Sequence, residues 1–386
     1  MSTPTLSTLT RSLVAEGAIF DAHADSLQRS LDIGHDLGVR GRGHMDLVRG
    51  REGGLGSQIF VCWVDPSWMD VETGGAAARA DRLLGEFHRL IQTHPDQVAW
   101  CGNGEMLTAA RAQGLIAGIP GIEGGHAIEG SLEQLEHFFD HGVRALTLVW
   151  NNHLPWIRSC MPTATAGIPE GLAPFGREVI RHMNALGMVV DLAHAGERSF
   201  FDALETSTAP VLASHTACMA VNRHPRNLSD DQLRALRDAG GVACMVFCTA
   251  FLDSAAQDAE RAVRATTAYQ ELSADSDTAL FLKQSEFLQR RIPPLPLERL
   301  VEHLMHAIEI CGIDHVGIGS DFDGIQRTPK GLDDAACYPV LIEALIQRGL
   351  DADDLRKVLG ANVERVYAKA TGPGTRAANA ALVPFA

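Results

Sequence analysis

Residues 188–215 read MVVDLAHAGERSFFDALETSTAPVLASH, and this segment holds two short apolar runs separated by a helical pattern. The runs MVVDLA and VLAS are typical of buried parallel strands, because they are short, rich in Val and Leu, and preceded by Gly or Pro. The residues between them, 197–204, predict a helix. A strand, a helix and a second strand in this order form the repeating unit of a parallel α/β sheet.

The same alternation of strand and helix continues along most of the 386 residues. Repeated units of this kind predict an α/β fold that closes as a (β/α)8 TIM barrel. A doubly wound open sheet is the alternative, because no single sequence pattern proves closure. We predict strands at about 18–22, 57–63, 115–120, 144–150, 188–193, 211–214, 242–247 and 315–320. We predict helices at 76–93, 131–141, 175–186, 197–204, 229–239 and 297–311, and Ser229 with Gln232 forms a capping box before the fifth.

The pattern predicts one catalytic domain over 18–368, with an N-terminal extension at 1–17 and a C-terminal tail at 369–386. The segment 249–296 interrupts the alternation, because it is polar, helical in pattern, and ends in the Pro-rich run IPPLP. We interpret it as a helical insertion after strand seven. Such an insertion covers the active-site mouth of a barrel, or it is surface decoration.

The composition restricts the partners and the compartment. The formal net charge of −15 argues against binding to nucleic acids and to anionic membranes. The N-terminus lacks the basic and apolar regions of a signal peptide, and no apolar run reaches transmembrane length. The eight cysteines are scattered with no Cys-x-x-Cys pair, which predicts reduced thiols rather than a Cys-based zinc site. We therefore expect a cytoplasmic protein.

Histidines and acids follow the predicted strands directly, which is the layout of a barrel active site. His23 and Asp25 lie on the same side of an extended segment, because side chains alternate along a strand, so both can bind one ion. Glu123 lies in a glycine-rich turn, where its two oxygens can bridge two ions or form a salt bridge. His194 and His215 end consecutive strands and can bind the second ion. Three His and two carboxylates suit two zinc-like ions and a metal-bound hydroxide, and predict a metal-dependent hydrolase.

A second His-x-Asp pair, His44 and Asp46, has the same spacing but follows a Gly/Arg loop and leads into a helix-like stretch at 46–51. We therefore assign the metal site to the first pair. His126 is either a partner of Glu123 or a simple turn residue.

Two further residues suit roles in hydrolysis. Asp321 follows the last strand and could carry a proton from the attacking water to a leaving amine, or it could cap an Asx turn. Arg226 lies in a loop and could clamp a substrate carboxylate in bidentate fashion, or it could be an ordinary surface arginine.

Together these residues resemble the membrane (renal) dipeptidase family of zinc peptidases, peptidase family M19. The resemblance runs from about Asp21 to about Val366 and is most specific at 121–126 (GIEGGH), 172–176 (LAPFG), 190–194 (VDLAH), 214–215 (SH), 226–227 (RN) and 319–324 (GSDFDG). It implies a barrel with two Zn²⁺ ions, hydrolysis of dipeptides that often carry a C-terminal D-residue, and a homodimer. It also implies that His23 and Asp25 bind one ion, that His194 and His215 bind the other, that Glu123 bridges them, that Arg226 contacts the C-terminal carboxylate, and that Asp321 is the acid/base.

The chain departs from this family at one position. Family members usually carry a histidine after the fourth strand that is thought to stabilise the tetrahedral intermediate, whereas this chain has Trp150. We expect the nearby His153 to replace that histidine in catalysis, or Asn151 or Asn152 to supply a donor. We place Trp150, Asn151, Asp323 and Arg226 among the substrate-binding residues. The bulky Trp150 also motivates an alternative, a hydrolase of other amides, lactones or N-acyl amino acids on the same metal site, and a non-enzymatic binding scaffold is a third hypothesis.

Overall fold

The computed structural model describes residues 6–70 and 74–385. Within these residues the strands are β1 (Ile19–Ala24), β2 (Leu55–Trp63), β3 (Val98–Trp100), β4 (Ile116–Glu123), β5 (Ala145–Thr147), β6 (Val189–Asp191), β7 (Leu212–Thr216), β8 (Val242–Met245) and β9 (Val316–Ile318). Met1–Thr5 of the predicted extension and Ala386 of the predicted tail lie outside the described residues. The division into extension, catalytic domain and tail stays a prediction.

The strands form a closed parallel barrel. Their order is β2-β1-β9-β8-β7-β6-β5-β4, and a further pairing of β2 with β4 closes the ring. The seven register pairs from Ser57 with Ala117 to Trp63 with Glu123 make this closing contact continuous. The prediction of a (β/α)8 barrel is confirmed, and the open-sheet alternative is wrong. The strand that the sequence did not predict, β3, has three residues and pairs with the first half of β4 outside the ring.

The helices alternate with the strands on the outside of the ring. In the described residues they are α1 (Thr8–Ala15), α2 (Leu27–Ile33), α3 (Leu47–Gly53), α4 (Ala76–Thr93), α5 (Gly104–Ala112), α6 (Leu132–Asp140), α7 (Pro174–Leu186), α8 (Glu197–Thr206), α9 (Asp230–Asp238), α10 (Thr249–Leu252), α11 (Ser254–Arg264), α12 (Thr267–Gln270), α13 (Asp277–Gln289), α14 (Glu298–Cys311), α15 (Tyr338–Gln347), α16 (Ala352–Arg356) and α17 (Asn362–Ala370). The capping box of Ser229 and Gln232 is present at the start of α9. None of the helices in this part of the chain is long and apolar enough to cross a membrane.

Alternate residues of each strand pack in different layers. Val189 belongs to a smaller buried cluster that includes Val363 and Tyr367 of α17, whereas Val190 belongs to the main buried cluster. This alternation follows from the period of two along a strand. The residues MVVDLA can therefore be apolar on both faces of β6, as expected for a parallel strand covered on both sides.

The insertion helices α10–α13 follow β8, which is the seventh strand of the closed ring. They pack against the barrel through buried polar contacts as well as apolar ones. Glu260 of α11 contacts Arg327 at 3.3 Å, and the hydroxyl of Thr278 on α13 donates to Asp32 of α2 at 2.7 Å. The insertion is therefore attached to the loops at the carboxyl ends of the strands.

Candidate metal centre

Six side chains meet at the carboxyl ends of five barrel strands and form what we call the ligand cluster: His23, Asp25, Glu123, His194, His215 and Asp321. Glu123, the last residue of β4, lies at its centre. One oxygen, Oε1, is 2.9 Å from Nε2 of His194 and 3.3 Å from Nε2 of His215. The other oxygen, Oε2, is 3.6 Å from Nε2 of His23. The two carboxylate oxygens therefore face two different sets of side chains.

Asp25 and Asp321 lie on the His23 side of the ligand cluster. The Nε2 atom of His23 is 3.6 Å from Oδ2 of Asp25 and 4.0 Å from Oδ1 of Asp321. These three residues form one group of candidate ligands, and His23, Glu123 and His215 form another. Asp321 is thus close enough to be a ligand as well as an acid/base group.

The donor set fits metal ions. His23 Nε2 and Asp25 Oδ1 are buried and have no hydrogen-bond partner among the residues that the structure describes. The Nε2 atoms of His194 and His215 lie 3.0 Å apart, so two ring nitrogens point at the same place. Ligand atoms about 2.0–2.2 Å from a tetrahedral zinc ion lie roughly 3.3 Å from one another, which is close to the separations seen here. Nitrogen and oxygen donors of this kind suit zinc.

The protonation states also suit metal binding. Burial lowers the pKa of His194 to about 3, with a further contribution from the charge of Arg226. Burial and the charge of His23 hold the pKa of His215 well below its ordinary value. Burial acts to raise the pKa of Glu123, but the charge of His23 and the close contacts of the carboxylate with His194 and His215 outweigh it and hold that pKa well below its usual range. The neutral imidazoles of His194 and His215 beside an ionised Glu123 are the forms that bind metal. Burial acts to lower the pKa of His23, but the charges of Glu123 and Asp25 outweigh it and hold that pKa well above its ordinary value, so this imidazole must release a proton when a metal binds.

A serine hydroxyl supports two of the histidines. Ser214 Oγ donates to Asp191 at 2.6 Å, which leaves its lone pairs free to accept. It lies 2.9 Å from Nδ1 of His215 and 3.3 Å from Nδ1 of His23. Both imidazoles therefore carry a proton on Nδ1, and their Nε2 atoms face Glu123.

A second buried carboxylate organises the loops that carry the ligands. Asp21 accepts hydrogen bonds from the backbone of Ser320 at 2.8 Å and of His23 at 3.2 Å, and from the hydroxyl of Tyr338 at 2.6 Å. The backbone then turns sharply, because Asp321 has φ 62° and His194 has φ 66°. Left-handed conformations are uncommon for residues other than Gly and cluster at functional sites.

A cavity of about 500 Å³, which we call the main cavity, opens over the ligand cluster. Trp150 lines it, with its ring 5.1 Å from that of Trp63 and 6.1 Å from that of His194. Arg226 also lines it and is 4% exposed. One of its Nη groups donates to the carbonyl of His215 at 3.0 Å, and its Nε is buried with no partner among the described residues. A guanidinium held in this way has donors left for a ligand.

The structure does not bring His153 to the ligand cluster. Its Nδ1 accepts from the backbone of Ser159 at 3.0 Å, its Nε2 is 2.9 Å from the hydroxyl of Thr163, and it does not line the main cavity. Asn151, in contrast, lines the main cavity and places its Oδ1 2.9 Å from Nδ1 of His194. Asn152 contacts the sulfur of Met69 instead.

Asp323 lines the main cavity, but its oxygens are already engaged. It contacts Arg29 at 2.8 Å and accepts from the hydroxyl of Ser26 and the backbone of His44. This geometry is that of a buried structural ion pair, which leaves Asp323 little capacity to bind substrate.

The other His-x-Asp pair is structural. Asp46 caps α3 by accepting from the backbone of Arg49 at 2.9 Å, and His44 Nδ1 accepts from the backbone of Asp323 at 3.0 Å. His126 donates to the carbonyl of Val64 at 2.8 Å.

Three buried positioning residues were not predicted from the sequence: Asp21, Asp191 and Ser214. Each is a polar residue inside an apolar strand, and each is fully or nearly fully buried here. Buried polar groups need hydrogen-bond partners, so a polar residue in a core strand was the available signal.

The sequence profile of the family described as membrane dipeptidase (peptidase family M19) matches residues 8–379. The chain is 33% identical over 337 residues to an uncharacterized dipeptidase of Schizosaccharomyces pombe, and the match covers 84% of this chain and 72% of that protein.

Solved structures agree with this match. A dipeptidase AC described as a metallopeptidase of family M19 is 26% identical, with a TM-score of 0.75, and the match covers 91% of this chain and 98% of that one. A Rhodobacter sphaeroides metallopeptidase, liganded with a phosphinate mimic of the dipeptide L-Ala-D-Ala, is 27% identical with a TM-score of 0.74, covering 91% and 99%. A probable dipeptidase, PvdM from Pseudomonas aeruginosa, shares the fold with a TM-score of 0.78 at 22% identity, covering 94% and 98%.

Proposed function

The chain belongs to the membrane dipeptidase family, peptidase family M19, and is a metallo-dipeptidase; from this premise we propose that it is a dinuclear zinc enzyme that hydrolyses free dipeptides. The observation that carries the proposal is the position of Glu123. Its two oxygens face His23 on one side and the pair His194 and His215 on the other. A carboxylate placed in this way suits a bridge between two ions.

His23 and Asp25 would hold one Zn²⁺, His194 and His215 would hold the other, and Glu123 would be shared. When bound, the two ions would polarise the scissile carbonyl and would lower the pKa of a water molecule to near neutrality, so that hydroxide is available as the nucleophile. The same donors accept cobalt or manganese, so the zinc assignment is part of the proposal.

Asp321 would move the proton. Burial holds the pKa of its carboxyl well above the ordinary range, which suits a group that accepts a proton and later releases it. Its Oδ1 lies 4.0 Å from Nε2 of His23, at the edge of the ligand cluster. From there it can accept a proton from the attacking water and deliver it to the leaving nitrogen.

Arg226 would hold the C-terminal carboxylate of the substrate. Its buried Nε has no partner among the described residues, and it shares the main cavity with the ligand cluster. A guanidinium that binds the terminal carboxylate in the same cavity as the ligand cluster would favour short substrates, and we propose dipeptides. The Rhodobacter sphaeroides relative, liganded with a mimic of L-Ala-D-Ala, supports including dipeptides with a C-terminal D-residue.

We further propose a cytoplasmic homodimer that acts on small dipeptides without nucleic-acid or membrane partners. The eight cysteines are all free thiols in the structure, which is typical of a reducing compartment. The net charge of −15 disfavours polyanionic partners. The dimer rests on the family resemblance, and light scattering of the purified protein tests it.

An alternative function is suggested by Trp150. Its ring and that of Trp63, 5.1 Å apart, form an aromatic wall of the main cavity. Such a wall suits an apolar acyl group, so hydrolysis of N-acyl amino acids, other amides or lactones on the same metal site is the second candidate.

The deciding experiment measures amine release from L-Xaa-L-Xaa and L-Xaa-D-Xaa dipeptides by zinc-loaded protein, with N-acyl amino acids and lactones in parallel. We expect dipeptide turnover that a chelator abolishes and zinc restores, and about two zinc ions per chain by elemental analysis. Glu123→Gln should lower both the zinc content and the turnover. Turnover of N-acyl substrates with no dipeptide turnover would replace the proposal by its alternative.

A further inference from the structure

Part of the wall of the main cavity is formed by the insertion. Glu260 and Arg264 of α11 and Gln284 of α13 line the cavity together with Gln326 and Arg327 from the loop after β9. We call these five residues the insertion wall. They lie in the same cavity as the ligand cluster, so a substrate bound to the cluster can reach them.

The acceptor atoms of the insertion wall are already used. Glu260 accepts from the hydroxyl of Thr249 at 2.7 Å and from Arg327 at 3.3 Å through one oxygen, and from Arg264 at 3.4 Å through the other. Gln284 accepts from the amide of Gln326 at 3.0 Å. The carbonyl oxygen of Gln326 in turn accepts from the hydroxyl of Tyr269 at 3.4 Å.

Donor groups remain. The side-chain amide nitrogen of Gln284 has no hydrogen-bond acceptor among the described residues. Arg264 has five N–H groups, and it makes only long contacts, 3.3 Å to Tyr269 and 3.4 Å to Glu260. The insertion wall therefore offers free donors to a ligand that supplies acceptors, and the Arg264 side chain, 42% exposed, is accessible from the cavity and from solvent.

The net charge of the insertion wall also favours a ligand that supplies acceptors. Two arginines and one glutamate give the insertion wall one excess positive charge. Asp277 also lines the cavity, but it is exposed in the first turn of α13, where the N-terminal end of the helix stabilises a negative charge. Asp323 is neutralised by Arg29 at 2.8 Å.

A second cavity of about 500 Å³ adjoins the first and indicates which end of a dipeptide meets the insertion wall. His194 and Arg226 line both cavities, whereas the insertion wall lines the main cavity alone. If Arg226 holds the C-terminal carboxylate at this boundary, the C-terminal side chain can enter the second cavity. The N-terminal residue then lies on the side of the main cavity.

We propose that the insertion wall is the subsite for the side chain of the N-terminal residue, and that it selects an acidic side chain, as in glutamyl and aspartyl dipeptides. Arg264 and Gln284 donate to the side-chain carboxylate. This inference rests on the proposed dipeptidase function. These donors favour a side chain that supplies acceptors, and the guanidinium of Arg264 adds a charge-assisted hydrogen bond to a carboxylate.

The test compares kcat/KM for Glu-Ala, Gln-Ala, Ala-Ala and Lys-Ala with zinc-loaded protein. We expect Glu-Ala to exceed Ala-Ala by about tenfold or more, and Lys-Ala to be the poorest of the four. In Arg264→Gln the ratio of kcat/KM for Glu-Ala to that for Ala-Ala should fall about tenfold, and Arg264→Glu should reverse the preference toward Lys-Ala. Gln284→Leu removes a different donor and should also lower the ratio of kcat/KM for Glu-Ala to that for Ala-Ala.

The matched control is Arg261→Gln, because Arg261 lies on the same helix, is largely exposed and pairs with Asp258. It should leave the four-substrate profile unchanged. An unaltered Glu-Ala to Ala-Ala ratio in both Arg264→Gln and Gln284→Leu, with turnover intact, overturns the subsite and leaves the dipeptidase function standing. Absence of turnover for every dipeptide removes that function and this inference with it.

Discussion

The side-chain oxygen of Asn151 lies 2.9 Å from Nδ1 of His194. An amide oxygen only accepts, so His194 carries its proton on Nδ1 and directs the lone pair of Nε2 toward Glu123 and His215. Asn151 is thus a positioning residue for a candidate metal ligand in addition to lining the cavity.

Asn151→Ala should weaken zinc binding at the His194 position by about 10–100-fold, because it removes the acceptor that orients this imidazole. Competition titration with a chromophoric chelator measures the affinity. Asn152→Ala is the control, since this neighbouring amide contacts Met69 instead. Equal zinc affinity in the two variants would show that Asn151 does not position His194.

Ser214→Ala should weaken both zinc sites at once. The hydroxyl lies within 3.3 Å of Nδ1 of His23 and of His215, which we assign to different ions. We expect a loss of about tenfold or more in each affinity. Nitrogen-15 NMR of the His215 imidazole in the metal-free protein should show a mixture of tautomers in place of one. Ser199→Ala removes an equally buried hydroxyl on α8 and should change neither result; a single tautomer retained in Ser214→Ala would argue against the assignment.

Arg226→Ala should raise KM for free dipeptides by about 10–100-fold, because the variant lacks the guanidinium that we assign to the substrate carboxylate. The wild-type protein should discriminate equally strongly against dipeptide amides, whereas the variant should treat acids and amides alike. Arg223→Ala tests an exposed arginine of the same loop and should behave as wild type. An unchanged KM in Arg226→Ala would eliminate this role.

His303 should make stability fall at acidic pH. It is fully buried, accepts from the backbone of Cys218 and donates to the carbonyl of Leu252, and burial lowers its pKa to about 4. The unfolded chain, with a pKa near 6.5, takes up the proton first as the pH falls, so the contribution is complete above pH 6.5 and is lost toward pH 4.

Between about pH 7 and about pH 5, protonation of His303 in the unfolded chain should lower the free energy of unfolding by roughly 2 kcal/mol. Urea unfolding at the two pH values should show it in the wild-type protein. The decrease should be smaller by this amount in His303→Gln, which cannot take up a proton. The same pH dependence in both proteins would contradict the assignment.

The barrel and the positions of the candidate ligands could be predicted from local patterns. Short apolar runs such as MVVDLA predict buried parallel strands, and carboxyl ends of parallel strands meet on one side of a barrel. Residues placed directly after those runs, such as His194 and Glu123, therefore had to come close together. Strand β3 was missed because it pairs with β4 outside the ring, so the alternation of eight strands with helices did not require it.

The roles of the residues around the candidate ligands could not be predicted from local sequence patterns. Asn151 and His153 are two residues apart in a loop, and only packing turns the first toward His194 and the second toward Thr163. Asp323 and Ser26, 297 residues apart, share a hydrogen bond that uses a carboxylate we had expected to bind substrate. The pairing of Arg264 with Glu260 beside the cavity likewise depends on where the insertion packs.

The periodicity of the chain thus sufficed for the closed barrel and for the residues that converge at its carboxyl end, because strand direction alone places them there. The folded molecule was needed to show which polar groups are saturated, as in Asp323, and which are left with a buried free donor, as in Arg226. The reason is that hydrogen-bond capacity is consumed by partners distant in sequence, and burial makes each unpaired group costly.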